Sequence, residues 1–103
     1  MTNYQITVIK VFESKDVIGE EFIRDSGEPI SKCGILEENQ VFMTNEMLTF
    51  PQGFFPHAWF GIFKELWMLR MGCSYPDWAG KNTMFASCPD GIRPVCFKIE
   101  RLD

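Results

Sequence analysis

Four cysteines and a single histidine are the side chains of this sequence whose types suit metal binding or nucleophilic chemistry. Three of the cysteines and the histidine could form a Cys₃His set for zinc or iron: Cys33, Cys73, Cys88 and His57. No C-x₂-C pair is present, and that pairing is what makes a zinc site specific at the level of sequence. Cys33 and Cys88 suit a metal best, because each precedes a turn whose backbone N–H groups can stabilise a thiolate. We therefore take Cys33, His57 and Cys88 as the candidate ligands, with small buried cysteines as the alternative.

Cys88 is also a candidate nucleophile. It precedes a Pro-Asp-Gly turn and lies near Arg93 in the sequence, and a guanidinium close to the sulfur would favour the reactive thiolate. With His57 it could form the Cys–His pair of a thiol enzyme. The alternative is a cysteine at the end of a strand that faces the core.

Arg93 and His57 each allow two interpretations. Arg93 could bind a carboxylate or phosphate of a ligand through two parallel hydrogen bonds. More often such an arginine pairs with a local acid, here Asp90, and stiffens the turn. His57 could be a ligand or a base, or a solvated residue in the first turn of a helix. The candidate ligand-binding residues are therefore Cys33, His57, Cys88 and Arg93.

The charge of the chain is unevenly distributed. Residues 13–46 hold nine acids and three bases, while the whole chain of 103 residues has a net charge of −4. An acidic domain without a basic stripe is a poor binder of nucleic acid or of anionic lipid, because both carry phosphate that must be neutralised. The acidic run has no D-x-D-x-D-G pattern for calcium, and no nucleotide-binding or standard hydrolase motif occurs.

The sequence predicts a cytoplasmic protein. No apolar stretch reaches the ~18 residues that a membrane span requires. The first residues lead directly into a strand-like run, without the basic and apolar regions of a secretory signal. In the cytoplasm we expect the cysteines to be reduced, without a disulfide framework.

The length supports one domain over residues 1–103. Hydrophobic patterning predicts four strands, over residues 4–12, 41–48, 83–88 and 94–102. The last two form a β-hairpin over residues 83–102, since Pro89-Asp90-Gly91 is strong turn chemistry. The first strand changes phase at Ile9, so it is either covered on both faces or carries a bulge.

Two helices are predicted. The first helix is short, over residues 17–24, with Asp16 as its N-cap. An irregular loop over residues 25–40 follows it. The main helix covers residues 57–71. Pro56 precedes this run and suits the first position of a helix. Asn39, at the end of the loop, is a plausible left-handed turn residue.

The main helix has an apolar face that is wider than one sheet normally covers. Its central residues are Ala58, Trp59, Ile62, Phe63, Leu66 and Leu69. Phe60, Trp67 and Met71 extend this face to an arc of roughly 220°, while Gly61 and Glu65 fall on the opposite, polar side. A second copy of the chain would cover the additional flank, so we predict a homodimer with Phe60, Trp67 and Met71 at its interface.

Residues 88–101, CPDGIRPVCFKIER, resemble the C-terminal signature of a family of short prokaryotic proteins with no assigned function, roughly C-x-D-G-x-R-P-V-x-F-K-x-E-R. Looser matches over residues 6–12, 33–42 and 51–62 extend the similarity to most of the chain. Asn39 and Phe55 stand where the family more often has Gly and Cys. If that Cys belongs to a family site with Cys33 and Cys88, one member is lost here. The resemblance implies a small cytosolic α+β domain and transfers no catalytic residues.

These elements and residues lead to one hypothesis. The order of strands, helix and hairpin predicts an α+β domain, in which a small antiparallel sheet, open or curled toward a barrel, packs on one main helix. We expect a non-catalytic binding or interaction module that forms a homodimer and has a small-ligand or metal site near Cys33, His57 and Cys88. The alternative is a thiol-dependent enzyme or redox protein that uses Cys88.

Overall fold

The computed structural model describes residues 2–102. Its elements in chain order are β1 (Asn3–Val11), α1 (Ser14–Ile18), β2 (Phe22–Ile23), β3 (Pro29–Ile30), β4 (Val41–Asn45), α2 (Pro56–Arg70), β5 (Thr83–Ser87) and β6 (Val95–Leu102). The α+β class, the main helix and the C-terminal hairpin are confirmed. The sheet is open and does not close into a barrel.

Four strands form one antiparallel sheet in the order β4-β1-β6-β5. The central pair is β1 with β6, which runs from Asn3 opposite Leu102 to Val11 opposite Val95. The short strands β4 and β5 lie at the two edges. β2 and β3 form a separate hairpin, in which β2 lies in the segment predicted to be a short helix and β3 in the segment predicted to be an irregular loop.

The phase change in β1 is a bulge. The register between β1 and β6 shifts between Val8 and Lys10, and Ile9 is exposed, so the strand is not covered on both faces there. Because the extra residue turns the strand, Val11 returns to the buried face.

The core lies between α2 and one face of the sheet. Alternate strand residues point into this core, while the opposite face carries polar side chains such as Thr7, Lys98 and Glu100. The largest fully buried apolar side chains are Tyr4, Ile6, Val8, Ile62, Leu66, Leu69, Met84, Val95, Phe97 and Ile99. The protein is therefore a two-layer structure with one solvated sheet face.

Both ends of α2 are defined by local contacts. The helix begins at Pro56, as predicted, after Phe55 at the N-cap position. At the other end, Nη1 of Arg101 on β6 donates to the carbonyl oxygen of Leu69 at 3.0 Å, which satisfies one of the free carbonyls of the last turn. Gly72 follows with a φ of +78°, a conformation that favours glycine.

The inner side of α2 includes two residues that the helical pattern placed on the polar side. Glu65 is only 8% exposed, and its carboxylate lies 3.4 Å from Nζ of Lys64. Gly61 faces the end of β5, where a Cβ atom would lie 2.7 Å from both Cδ of Pro89 and the carbonyl oxygen of Ser87. Glycine therefore allows the backbone of α2 to approach the β5–β6 turn closely.

The prediction of a short helix over residues 17–24 was wrong in its bounds. In the structure α1 ends at Ile18 and is followed by the C-cap Gly19, which adopts a φ of +83°. The N-cap is Glu13, not Asp16. Asp16 is the third residue of the helix and forms a capping box with Glu13. The N–H of Phe22 donates to Oγ of Ser14 at 3.2 Å, which holds that part of the chain in β2. Asn39 has the predicted left-handed conformation, with a φ of 71°.

Gly61→Ala should lower the free energy of unfolding by about 1–3 kcal/mol, the usual cost of overpacking a rigid contact. The higher helix propensity of alanine, about 1 kcal/mol, offsets part of a larger steric cost. Urea-induced unfolding followed by tryptophan fluorescence measures the difference. Gly91→Ala is the matched control, because no neighbouring atom lies within 4 Å of a Cβ at that position. Equal stability of Gly61→Ala and the wild type would contradict the close approach of the helix.

Candidate functional site

A small pocket at the N-terminal end of α2 brings together the four residues predicted to bind a ligand. Cys33 comes from the loop between β3 and β4, His57 from the first turn of α2, Cys88 from the end of β5, and Arg93 from the loop before β6. The volume is about 70 Å³, which corresponds to about two water molecules in the liquid. The apolar walls are Ile35, Leu36, Phe55, Ala58 and Val95.

Cys88 is the buried thiol of this pocket, with 8% of its surface exposed. Its N–H donates to the carbonyl oxygen of Val95 at 3.0 Å, and the N–H of Val95 donates to Sγ of Cys88 at 3.3 Å. Cys88 therefore lies at the end of a strand and faces the core, and it also lines the pocket.

Asp90 holds Arg93 in place. Nε of Arg93 donates to Oδ2 of Asp90 at 3.1 Å, while the N–H groups of Ile92 and Arg93 donate to Oδ1 at 2.9 and 3.0 Å. Partial burial raises the pKa of Asp90, but these hydrogen bonds and the guanidinium charge outweigh it and hold the pKa below the ordinary 3.8. The arginine is thus paired locally through Nε, and its Nη groups are the donors that a ligand would meet.

Cys33 lies between the small pocket and a larger cavity. The larger cavity, of about 540 Å³, is bounded by the end of β1, by α1 and by the loop of residues 32–38. Its charged lining residues are Lys10, Glu13, Asp16, Lys32, Glu37 and Glu38. Residues 10, 37 and 38 were not among the predicted site residues, because no local pattern indicates that the bulge in β1 brings them together.

Glu38 closes one side of the larger cavity. One of its carboxylate oxygens accepts the N–H of Val11 at 3.0 Å and lies 3.7 Å from Nζ of Lys10. The hydrogen bond from Val11 and the charges of Lys10 and Lys32 lower the pKa of Glu38, against the opposing effect of burial. The loop is thereby attached to the end of β1.

The proposed zinc or iron site finds no support in the described part of the chain. Within residues 2–102, no group of three or more His, Cys, Asp or Glu side chains is arranged to hold a metal ion. His57 is exposed, with its ring 6.2 Å from that of Phe55. Cys73 is exposed beyond the opposite end of α2.

The second candidate site is the outer side of α2. Phe60, Trp67 and Met71 are 80%, 48% and 59% exposed. A groove of about 730 Å³ is formed by Trp59, Phe60, Phe63, Lys64 and Trp67. These five residues and Met71 are called the outer α2 surface. Phe63, which the helical pattern placed on the central apolar face, is 37% exposed and contributes to it.

Aromatic contacts connect the outer α2 surface to the core. The ring centroids of Trp59 and Phe63 are 5.5 Å apart, and those of Trp59 and Phe54 are 5.9 Å apart, in edge-to-face geometry. The guanidinium of Arg70 lies 5.2 Å from the ring of Trp67, while its Nε donates to the carbonyl oxygen of Glu46 at 2.6 Å. The rings of Phe63 and Trp67 are therefore held in place by their neighbours.

Comparison of the chain with protein-family models, curated proteins and solved structures found no match. The resemblance of residues 88–101 to the short prokaryotic family stays a prediction. Among the residues that the structure describes, no helix has both the length and the apolar character needed to cross a membrane.

Asp90→Asn should lower the free energy of unfolding at neutral pH by about 1–2 kcal/mol, the worth of a charge-assisted hydrogen bond. Because the pKa of Asp90 is lowered in the folded state, its ionised form stabilises the fold at pH values above the ordinary 3.8. This contribution is lost as the pH falls through the lowered pKa. Urea unfolding of both proteins between about pH 2 and 7 measures it. A difference that stays constant over that interval would show that the charge of Asp90 is not what stabilises the turn.

Iodoacetamide near neutral pH should label Cys73 first and Cys88 last. Cys73 is exposed, whereas Cys88 is buried. Burial, and then the neighbouring Cys88, raise the pKa of the Cys96 thiol, so Cys96 should also react slowly. Fragment mass spectrometry over time locates each label. Labelling of Cys88 ahead of Cys73 would refute this order and favour the thiol-enzyme alternative.

Proposed function

We propose that this protein is a non-catalytic interaction module that works as a homodimer through the outer α2 surface. The observation that carries the proposal is the exposure of Phe60, Trp67 and Met71 on one side of a helix whose other side forms the core. Large aromatic side chains of this kind are enriched at the centres of protein interfaces. A contiguous exposed apolar patch is characteristic of an interaction site.

The area of this surface fits a second copy of the chain. Each aromatic side chain can bury about 150–250 Å², so the exposed fractions correspond to about 500 Å² of apolar surface per copy. A symmetric pair would then bury about 1,000 Å² before its rim is counted, close to the lower end of specific interfaces, about 1,200–2,000 Å². Phe50 belongs to that rim, since its ring lies 5.6 Å from that of Trp59 and is 41% exposed.

The arrangement along α2 is self-complementary. In an antiparallel pair of helices with a two-fold axis between Phe63 and Lys64, Phe60 of one copy lies opposite Trp67 of the other. The ion pair of Lys64 with the nearly buried Glu65 at 3.4 Å reduces the repulsion between the two Lys64 side chains near that axis. The bulk of each copy lies on the far side of its helix, so the two sheets do not collide.

The pocket of Cys33, His57, Cys88 and Arg93 lies at the N-terminal end of α2, which in such a pair is opposite the C-terminal end of the partner helix. We propose it as the small-ligand site of the module. Its volume restricts the occupant to a group of a few atoms. The cytoplasmic location is part of this proposal and is supported by the sequence.

Thiol chemistry at Cys88 is the second candidate function, and one observation favours it. The N–H of Val95 is directed at Sγ of Cys88, and Arg93 lines the same pocket. Against an enzyme, Cys88 is 8% exposed and the pocket is too small for most substrates. The size and burial of the site therefore allow a small reagent to reach Cys88, but not the larger substrate of an enzyme.

Trp67→Glu should convert a dimer into a soluble monomer, because it places a carboxylate against Phe60 of the other copy without disturbing the core. Sedimentation velocity at high micromolar concentration measures the molecular mass of each protein. Phe85→Glu is the matched control, since Phe85 is 45% exposed on β5, outside the outer α2 surface. The control variant should remain dimeric. A monomeric wild type at that concentration would refute the proposal.

A further inference from the structure

We propose that Cys33 and Cys88 are a redox-active pair that a small hydroperoxide converts into an intramolecular disulfide. The inference concerns the pocket and does not rest on the homodimer. Three observations carry it: the shared pocket, the unequal access to the two sulfurs, and the hydrogen bond at Cys88.

The two thiols share one small pocket. Cys33 and Cys88 both line the cavity of about 70 Å³, although 54 positions separate them in the chain. The loop that carries Cys33 is held on either side of it, where the N–H of Ser14 donates to the carbonyl oxygen of Ser31 and the N–H of Asn39 donates to that of Val8. Residues between these anchors have irregular backbone, so Cys33 can approach Cys88 without breaking a strand or helix.

The other two cysteines are poorly placed to react with Cys88. Cys96 follows the buried Val95 on β6, and successive residues of a strand point to opposite faces of the sheet. Cys96 is near enough to Cys88 that, after burial, Cys88 helps to raise the pKa of the Cys96 thiol. Its side chain nevertheless points to the other face of the sheet from Cys88. Cys73 follows the C-terminal end of α2, whereas the pocket is at the N-terminal end. That helix of 15 residues is about 22 Å long.

Access to the pair is unequal. Cys33 is half-buried and also lines the cavity of about 540 Å³, through which a small solute can reach it. Cys88 is 8% exposed and faces the same pocket from the core. A small oxidant should therefore react first with Cys33, and Cys88 should act as the resolving thiol.

The surroundings of Cys88 suit this second role. The N–H of Val95 donates to its sulfur at 3.3 Å, and the guanidinium of Arg93 belongs to the same pocket. The hydrogen bond holds the sulfur at the wall of the pocket, where it can attack a second sulfur. Asp90 keeps Arg93 in position through its bond to Nε.

The chemistry balances with hydrogen peroxide as the oxidant. The Cys33 thiolate attacks one peroxide oxygen, the O–O bond breaks, hydroxide leaves, and Cys33 becomes a sulfenic acid. The Cys88 thiolate then attacks the Cys33 sulfur, an S–S bond forms and the S–O bond breaks. The departing oxygen takes up a proton and leaves as water. Peroxide is reduced by two electrons and the two thiols are oxidised, and an added dithiol reverses the bond by exchange.

The disulfide would join the loop of Cys33 to the end of β5 and fill the pocket between them. Oxidation would then exclude the ligand that the reduced pocket admits. The pair thereby acts as a peroxide-sensitive closure of the site, of the transient kind that cysteines form in a reducing compartment.

The test is treatment of the reduced full-length protein with hydrogen peroxide, followed by intact mass spectrometry and fragmentation. We expect a single chain that has lost the mass of two hydrogen atoms, with Cys33 and Cys88 linked, and full reversal by dithiothreitol. Cys73→Ser and Cys96→Ser are the matched controls and should form the same bond. Cys33→Ser and Cys88→Ala should abolish it.

A second readout covers the case in which Cys88→Ala disturbs the core. In that variant the Cys33 sulfenic acid should accumulate and be trapped by dimedone, whereas the wild type should give at least tenfold less adduct. Cys33→Ser changes a half-buried side chain, so its folding can be verified by circular dichroism. A disulfide that persists in Cys33→Ser, a link between other cysteines in the wild type, or no loss of hydrogen after peroxide treatment would each overturn the proposal.

Discussion

The close approach between α2 and the end of β5 determines how the rest of the molecule is arranged. At Gly61 the helix backbone contacts Pro89 and Ser87 so closely that no side chain fits between them. This contact places the first turn of the helix beside Cys88 and the loop of Arg93, and the small pocket is the space left between these segments. The same contact sets the rotation of the helix about its own axis.

That rotation accounts for both candidate sites. With Gly61 against β5, the aliphatic residues Ile62 and Leu66 point at the sheet and are completely buried. The aromatic residues at positions 60, 63 and 67 then point away from it. A helix with large residues around most of its circumference can bury one side in a two-layer fold, and the remaining side stays available for another molecule.

Long patterned elements were predictable from the sequence, because their hydrophobic spacing reflects burial directly. The main helix and the hairpin are of this kind, while the bulge in β1 was one of two alternatives that the pattern allowed. Gly61 and Glu65 were misplaced, because a helical pattern ranks residues by polarity and contains no information on the space beside them. The helix after β1 was misplaced, because two acids, Glu13 and Asp16, share a capping box and either could be taken for the cap. The convergence of Cys33 with Cys88 depends on the strand order, which no local pattern specifies.

The central ladder of the sheet has a consequence for the order in which the chain can fold. The longest partner of β1, the first strand described, is β6, the last one. The helix alone cannot cover the apolar face of β1 and β4, since the sheet that supports it lacks a central strand until β6 arrives. A chain that still lacks β6 would therefore expose Tyr4, Ile6 and Phe42, and folding waits for a pairing between strands that are distant in the sequence.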